Sequence, residues 1–312
     1  GKSVSINTMI LSILYKSFPQ RVKLLLIDPK RVEFPEYNGI PYLYTPVVVD
    51  LKSAINVLKW SINEMEQRYK TFAKAGSRNM FAYNEDKSDD EKLPFIVIII
   101  DELADLMAMA PNKVEQVIIR LAQMSRAVGI HLIISTQRPS VDVITGIIKA
   151  NLPARIAFQV VSKVDSRTIL DMNGAESLLG KGDMLYLAPG AAKPIRLQGS
   201  MVSSKEIKKV VDFIKLQTPS ELFEDDIALK ESKEGQEEKE EVDQLLKESL
   251  ELIVERKQAS ASLLKGALHI SDGKAVNLIS IMETKGLIGS AQGAKGREIY
   301  LEKISECLSE IK

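Results

Sequence analysis

Two carboxylates stand side by side at the end of an apolar run, Phe95-Ile-Val-Ile-Ile-Ile-Asp101-Glu102. A continuous run of branched apolar residues reads as a buried strand. The acidic pair at its end would then reach the edge where open α/β sheets bind ligands. There Asp101 is placed to hold the shell of a Mg²⁺ ion, and Glu102 to polarise an attacking water. The same pair also suits an acidic helix start, which the helix dipole favours. At the beginning of the chain, Gly1-Lys2-Ser3 precedes a helical pattern. It has the form of the second half of a phosphate-binding loop, G-x-x-x-x-G-K-[ST]. In such a loop, backbone N–H groups wrap phosphates, the lysine reaches the β- and γ-phosphates, and the serine hydroxyl ligates Mg²⁺. Three residues alone carry little weight. Their place ahead of Asp101-Glu102 makes ATP and Mg²⁺ the expected ligands, with Gly1, Lys2 and Ser3 binding the nucleotide. Because the chain opens inside this motif, it reads as a fragment with half a phosphate cradle, expected to bind and hydrolyse ATP poorly by itself.

A third segment, His131-Leu-Ile-Ile-Ser-Thr-Gln137-Arg138-Pro139, follows the next helical pattern. Gln137 is the candidate for sensing a γ-phosphate from the strand beside the acidic pair, although a polar turn has the same composition. Arg155 and Arg167 are candidates for stabilising charge on a transferred phosphoryl group, or are ordinary surface arginines.

The elements that must position these residues are legible in the first two-thirds of the chain. Strand candidates are Val22–Ile27, Phe95–Ile100, His131–Ser135, Arg155–Val160 and Asp183–Leu187. Leu51, Ile55, Leu58, Ile62, Met65, Tyr69 and Phe72 recur at helical spacing, and Lys113–Val128 is a second such helix. This alternation predicts a doubly wound α/β domain over residues 1–217. Residues 218–241 are acidic and almost without core formers, as in a solvated linker. Residues 242–312 read as three helices, Val242–Arg256, Ser260–Leu268 and Ser271 or Asp272 to about Lys285, then a hairpin around Gly289–Gly296. Three helices and a β-wing make a small α+β winged helix.

Composition sets limits. The 42 basic and 42 acidic residues cancel, so any nucleic-acid surface must be local. One cysteine, Cys307, and two histidines are too few for a disulfide framework or a Cys/His zinc site. No apolar run approaches the roughly 18–20 residues of a membrane helix. In the third terminal helix, Ala275, Ile279 and Met282 are expected to face inward, and Gly273, Lys274, Asn277 and Ser280 outward. Lys265, Lys274, Asn277, Lys295 and Arg297 are the candidate DNA contacts, the last two on the wing.

Beyond the acidic pair, Asp28-Pro-Lys-Arg-Val-Glu33, Ala154-Arg155, Ser162-Lys-Val-Asp-Ser-Arg-Thr-Ile-Leu-Asp171 and Leu178-Leu-Gly-Lys-Gly-Asp-Met-Leu-Tyr-Leu187 resemble the FtsK/SpoIIIE family of bacterial DNA translocases. The resemblance spans nearly the whole chain. It implies a RecA-like P-loop NTPase domain that assembles as a homo-hexamer around double-stranded DNA, with ATP between subunits. By position, Lys2, Ser3, Asp101 and Glu102 match its Walker residues and Gln137 its sensor. Arg155 is the better match to an arginine given to the neighbour's site. The resemblance further implies a winged helix that reads orienting DNA sequences, site-specific recombinases as partners, and a place on the cytoplasmic side of the inner membrane at the division septum. Gly273 and Asn277 stand where that helix commonly carries Asn and Arg, which leaves the DNA sequence open. The alternatives are another RecA-like hexameric ATPase, of conjugation or secretion type, or a module that only binds DNA.

Overall fold

In a computed structural model of the protein, the described residues are 1–217, 245–254, 256, 258–268, 270–284, 286–289, 297–300 and 303–304. The expected acidic linker, Lys295 and most of the wing loop lie outside them. The chain divides into two compact units, Gly1–Ser232 and Lys233–Lys312.

The first unit is built on three parallel strands, β1 (Val22–Ile27), β2 (Phe95–Ile100) and β3 (Ile130–Ile134), in that spatial order. Alternation along each strand sends side chains to two faces. On one face Leu25, Ile27, Ile96, Ile98 and Ile100 pack beneath helices α2 (Leu51–Ala75), α4 (Leu103–Met109) and α5 (Pro111–Met124). On the other, Leu24, Leu26 and Ile99 meet α1 (Lys2–Lys16), the loop from Phe34 to Val47 and α8 (Ser204–Gln217). Helices cover both faces, as the continuous apolar runs require. Between α2 and β2 lies the short helix α3 (Met80–Glu85).

The second half of this unit departs from the simplest doubly wound reading. Past α6 (Gly146–Asn151), strands β4 (Arg155–Phe158), β5 (Asp183–Leu187) and β6 (Ile195–Gln198) form a separate antiparallel sheet. The link from β5 to β6 is too short for the crossover that a parallel pair needs, so the chain doubles back. Helix α7 (Lys163–Leu170) supplies Leu170 to the small core of Ala157, Ala175, Leu178 and Leu187.

Helix α2 begins where the Asp50 side chain accepts the Ser53 N–H, and ends at Gly76 in the left-handed region. Its buried face comprises Ala54, Val57, Leu58, Ser61, Met65, Arg68 and Phe72. Ile55, Ile62 and Tyr69, which share its helical spacing, are partly buried. Arg68, only 2% exposed, is the unexpected member. Its Nε donates to Glu64 at 2.7 Å, and its Nη1 donates at 2.9 Å to both the Pro94 and Val128 carbonyls. One guanidinium thus ties α2 to the entrances of β2 and β3.

In the second unit, residues 245–254 are helical, and Ala261–Leu268 and Asp272–Thr284 form two further helices. Leu246, Leu250, Ile253, Leu264, Ala275, Leu278, Ile279 and Met282 make its core. The last helix stops at Gly286, φ 65°. Ile288 and Ile299 then pair antiparallel, as the base of a hairpin.

Arg68→Ala strands two buried carbonyls and the Glu64 carboxylate. It should cost roughly 3–5 kcal/mol and lower Tm by on the order of 10 °C. A calorimetric scan that leaves Tm within a degree or two would show that Arg68 is dispensable to the fold.

Candidate functional site

β1, β2 and β3 are paired in register, so Ile27, Ile100 and Ile134 lie abreast. The chain therefore leaves the sheet at Asp28, Asp101 and Ser135 along one edge. The end of β3 is stitched to that of β2: Ser135 N–H donates to the Ile100 carbonyl at 2.9 Å, and Leu103 N–H to the Ser135 carbonyl at 2.9 Å. The Ser135 hydroxyl donates to the Asp101 carbonyl.

Helix α1 starts at this edge. Lys2 Nζ lies 2.9 Å from Asp101 Oδ1 and donates to the Asp101 carbonyl at 2.8 Å. Two motifs 99 residues apart thus meet through one ammonium group. Gly1 packs against the ring of Phe158, where a Cβ would stand 2.3 Å from a ring carbon. Any larger residue would have to displace the Phe158 ring.

Glu102 is fully buried and caps α4, accepting the Ala104 N–H at 3.3 Å. The Thr136 hydroxyl and the Gln137 N–H (3.0 Å to Oε2) also donate to its carboxylate. Lys30 Nζ approaches to 3.5 Å. Burial pushes the Glu102 carboxyl up, but the donors Thr136, Gln137 and Ala104, together with the Lys2 charge, outweigh it and hold it below the ordinary glutamate value. Glu102 is therefore an anion at neutral pH, fixed in direction by the β3 exit. The Gln137 side chain is exposed, and the residue meets Glu102 through its backbone.

Ser3 Oγ donates to Glu33 Oε1 at 2.5 Å. Together the Ser3 hydroxyl and the Asp101 carboxylate offer hard oxygen donors, the set that suits Mg²⁺. The adjacent Lys2 supplies a cation for phosphate oxygens.

Arg155 is not brought into this cluster. It opens β4, while Phe158 at the other end of that strand touches Gly1. Its Nη1 donates to Asp171 at 2.6 Å and to the Ile169 carbonyl at 3.0 Å, and Lys149 binds the same Asp171 at 2.6 Å. These two cations, Lys149 first, hold the Asp171 carboxyl below its ordinary value. Arg167 is exposed.

Lys30, Glu33, Ser135 and Thr136 have no role that the sequence motifs alone assign. Their signal was positional: each lies just past a strand that pairs with β2 or ends beside it.

In the second unit, Asn277, Gly273 and Ser280 are exposed on the last helix, and Ala275, Ile279 and Met282 are buried. Lys265 is exposed on the preceding helix. Lys274 lies within the last helix, and its side chain is outside the described residues. Arg297 is ion-paired to Glu283 and donates to the Gly289 carbonyl at 3.4 Å, so it ties the hairpin to the helix. Among the described residues no helix is long and apolar enough to cross a membrane.

Comparisons with known proteins bear on both units. A model described as the FtsK/SpoIIIE family matches residues 1–141, and one described as the Ftsk gamma domain matches residues 240–302. The chain is 54% identical over 303 residues to a DNA translocase FtsK of Caldanaerobacter subterraneus subsp. tengcongensis, covering 97% of this chain and 42% of the relative. It is 52% identical to the DNA translocase SftA of Bacillus subtilis, covering 96% of this chain and 32% of that protein. The chain thus spans less than half the length of these relatives. Among solved structures, the pCW3 conjugation coupling protein TcpA in its monomer form with ATPgS matches at 29% identity and TM-score 0.58, over 67% of this chain and 62% of that one. The cytoplasmic domain of the type VII secretion ATPase EccC of Thermomonospora curvata matches at 19% identity and TM-score 0.59, over 69% of this chain and 26% of that one, a likeness of fold. The fold is a RecA-like P-loop NTPase domain followed by a winged-helix domain.

Thr136→Val removes a donor that lowers the Glu102 pKa, so that pKa should rise towards the ordinary glutamate value. A carboxylate with a depressed folded-state pKa adds stability above its unfolded pKa and loses it as pH falls through the folded one. The variant should therefore be less stable than the wild type near neutral pH and lose less stability on acidification, the two converging once the pH is below the wild-type folded pKa, in denaturant titrations followed by circular dichroism across a pH series. Superimposable pH profiles would show that Thr136 does not govern the ionisation of Glu102.

Proposed function

The chain belongs to the FtsK/SpoIIIE family, and on that premise we propose that it forms the motor and DNA-reading end of an ATP-driven double-stranded DNA translocase acting in chromosome segregation and cell division. The observation that carries this reading is the convergence of Lys2, Ser3, Asp101 and Glu102 on one sheet edge. It combines with relatives named DNA translocase and with a terminal unit of the Ftsk gamma type. The likeness to coupling and secretion ATPases is one of fold. Two separate family matches and identities above 50% favour the translocase.

In this reading Lys2 leaves Asp101 to bind the β- and γ-phosphates of ATP. Ser3 and Asp101 would hold Mg²⁺, which neutralises charge on the phosphate oxygens when bound. Glu102, already ionised and aimed by Thr136 and the Gln137 N–H, orients a water towards the γ-phosphorus and accepts its proton. Gln137 reports the γ-phosphate to the β3 exit that holds Glu102. Arg155, released from Asp171, reaches the site of the next subunit in a homo-hexameric ring. Asn277, exposed on its helix, contacts duplex DNA together with Lys274, Lys265, Lys295 and, once released from Glu283, Arg297. The whole protein acts on the cytoplasmic side of the inner membrane at the septum, with site-specific recombinases as partners of the winged helix.

Glu102→Gln in the full-length protein keeps the hydrogen-bond acceptor but removes the base. ATP turnover should fall at least about 100-fold, while duplex DNA binding in a mobility-shift titration stays at the wild-type level. Turnover within a factor of two of wild type would remove Glu102 from the chemistry.

A further inference from the structure

The segment Asp28–Phe34 enters neither the phosphate-binding loop nor the acidic strand end, yet it touches both. Asp28 is fully buried. Its Oδ2 accepts the backbone N–H groups of Glu33 at 2.9 Å and Phe34 at 3.0 Å. Arg31, at φ 57°, turns the chain through the left-handed region between Lys30 and Glu33. Phe34 and Tyr37 are then fully buried against α1. The Tyr37 hydroxyl donates to Asn7 Oδ1 at 2.7 Å, and Asn7 Nδ2 returns to the Ser3 carbonyl at 3.0 Å. Burial, with Glu36 second, pushes the Tyr37 hydroxyl well above its ordinary pKa, so it stays a donor. The segment is thus fastened to helix α1 one turn beyond Ser3.

That fastening fixes the position of the Glu33 carboxylate, which accepts the Ser3 hydroxyl proton at 2.5 Å. A serine oxygen ligates a cation through a lone pair, so its proton must point to an acceptor elsewhere. An ionised acceptor makes the stronger, charge-assisted hydrogen bond. It also raises the electron density on the oxygen, as partners of metal ligands generally do. Mg²⁺ demands near-ideal octahedral geometry, so a ligand held in direction is worth more to it than a freely rotating one.

We propose that Glu33 is a positioning residue for the Ser3 hydroxyl, holding its proton away so that a lone pair faces the cation of the nucleotide site. Lys30, on the same turn and 3.5 Å from Glu102, links this support to the acidic pair. The inference rests on the nucleotide-site reading above.

The test is calorimetric binding of a non-hydrolysed ATP analogue to the full-length protein, with Mg²⁺ and with EDTA. Wild-type protein should bind more tightly with Mg²⁺. Glu33→Ala should shrink that Mg²⁺-dependent gain about tenfold, the loss typical for a metal ligand's supporting partner, and leave affinity in EDTA unchanged. Glu33→Gln, which keeps an acceptor oxygen, should recover most of the gain. Parallel loss in both conditions would make Glu33 merely structural and overturn the proposal, as would an unchanged gain. A larger gain in Glu33→Ala would make Glu33 a competitor for Ser3 and overturn it too. Failure of the wild type to bind the analogue at all would instead sink the nucleotide-site reading.

Discussion

The in-register parallel pairing of β1, β2 and β3 is the constraint on which the rest of the structure depends. With Ile27, Ile100 and Ile134 abreast, Asp28, Asp101 and Ser135 emerge together, which brings Lys30 from the β1 exit and Ser135, Thr136 and Gln137 from the β3 exit onto the acidic pair. The register is enforced by packing. Leu25, Ile27, Ile98 and Ile100 face one set of helices, while Leu24, Leu26 and Ile99 face the other. A slip of one residue would send each side chain to the opposite face. It would also carry the carboxylates away from Lys2.

Three acidic side chains, Asp28, Asp101 and Glu102, are buried at this edge. Burying a charge is costly unless it is paired and hydrogen-bonded, and each is compensated differently. Asp28 takes two backbone N–H groups, Asp101 takes the Lys2 ammonium, and Glu102 takes a hydroxyl and two backbone N–H groups. Glu102 consequently remains anionic although buried, which is the state that its proposed role as a base requires. Two of its donors, Thr136 and Gln137, come from the strand exit that also faces outward through the Gln137 side chain, so the holder and the expected sensor are one short segment.

The central strand of the parallel sheet was legible because a continuous apolar run has few other uses, and β1, β2 and β5 all begin and end where the residue pattern placed them. β3 starts one residue earlier, at Ile130, and β4 ends at Phe158. β6 escaped notice because all four of its residues are exposed, so no buried periodicity marks it. Lys2, Ser3, Asp101 and Glu102 were readable as a group because their chemistry is written in short local motifs. Arg68 was not, since a charge on a helix reads as solvent-facing, and its burial is tolerable because the Glu64 carboxylate and the carbonyls of Pro94 and Val128 accept from it. Lys30 and Glu33 were hidden for a similar reason. In one dimension they are loop charges, and their partners Glu102 and Ser3 come from elements brought near by the parallel neighbour and by α1. Arg297 reads as a wing cation from sequence, and its pairing with Glu283 could not be read there because the two are 14 residues apart on different elements.

The central claim, that this edge is where nucleotide binds, is tested most directly by a crystal structure of the full-length protein with Mg²⁺ and a non-hydrolysed ATP analogue. The account predicts that Lys2 Nζ exchanges the Asp101 carboxylate for phosphate oxygens, with the metal between Ser3 Oγ and Asp101 and with Glu102 still held by Thr136. A nucleotide bound elsewhere, with the Lys2–Asp101 ion pair intact, would contradict it.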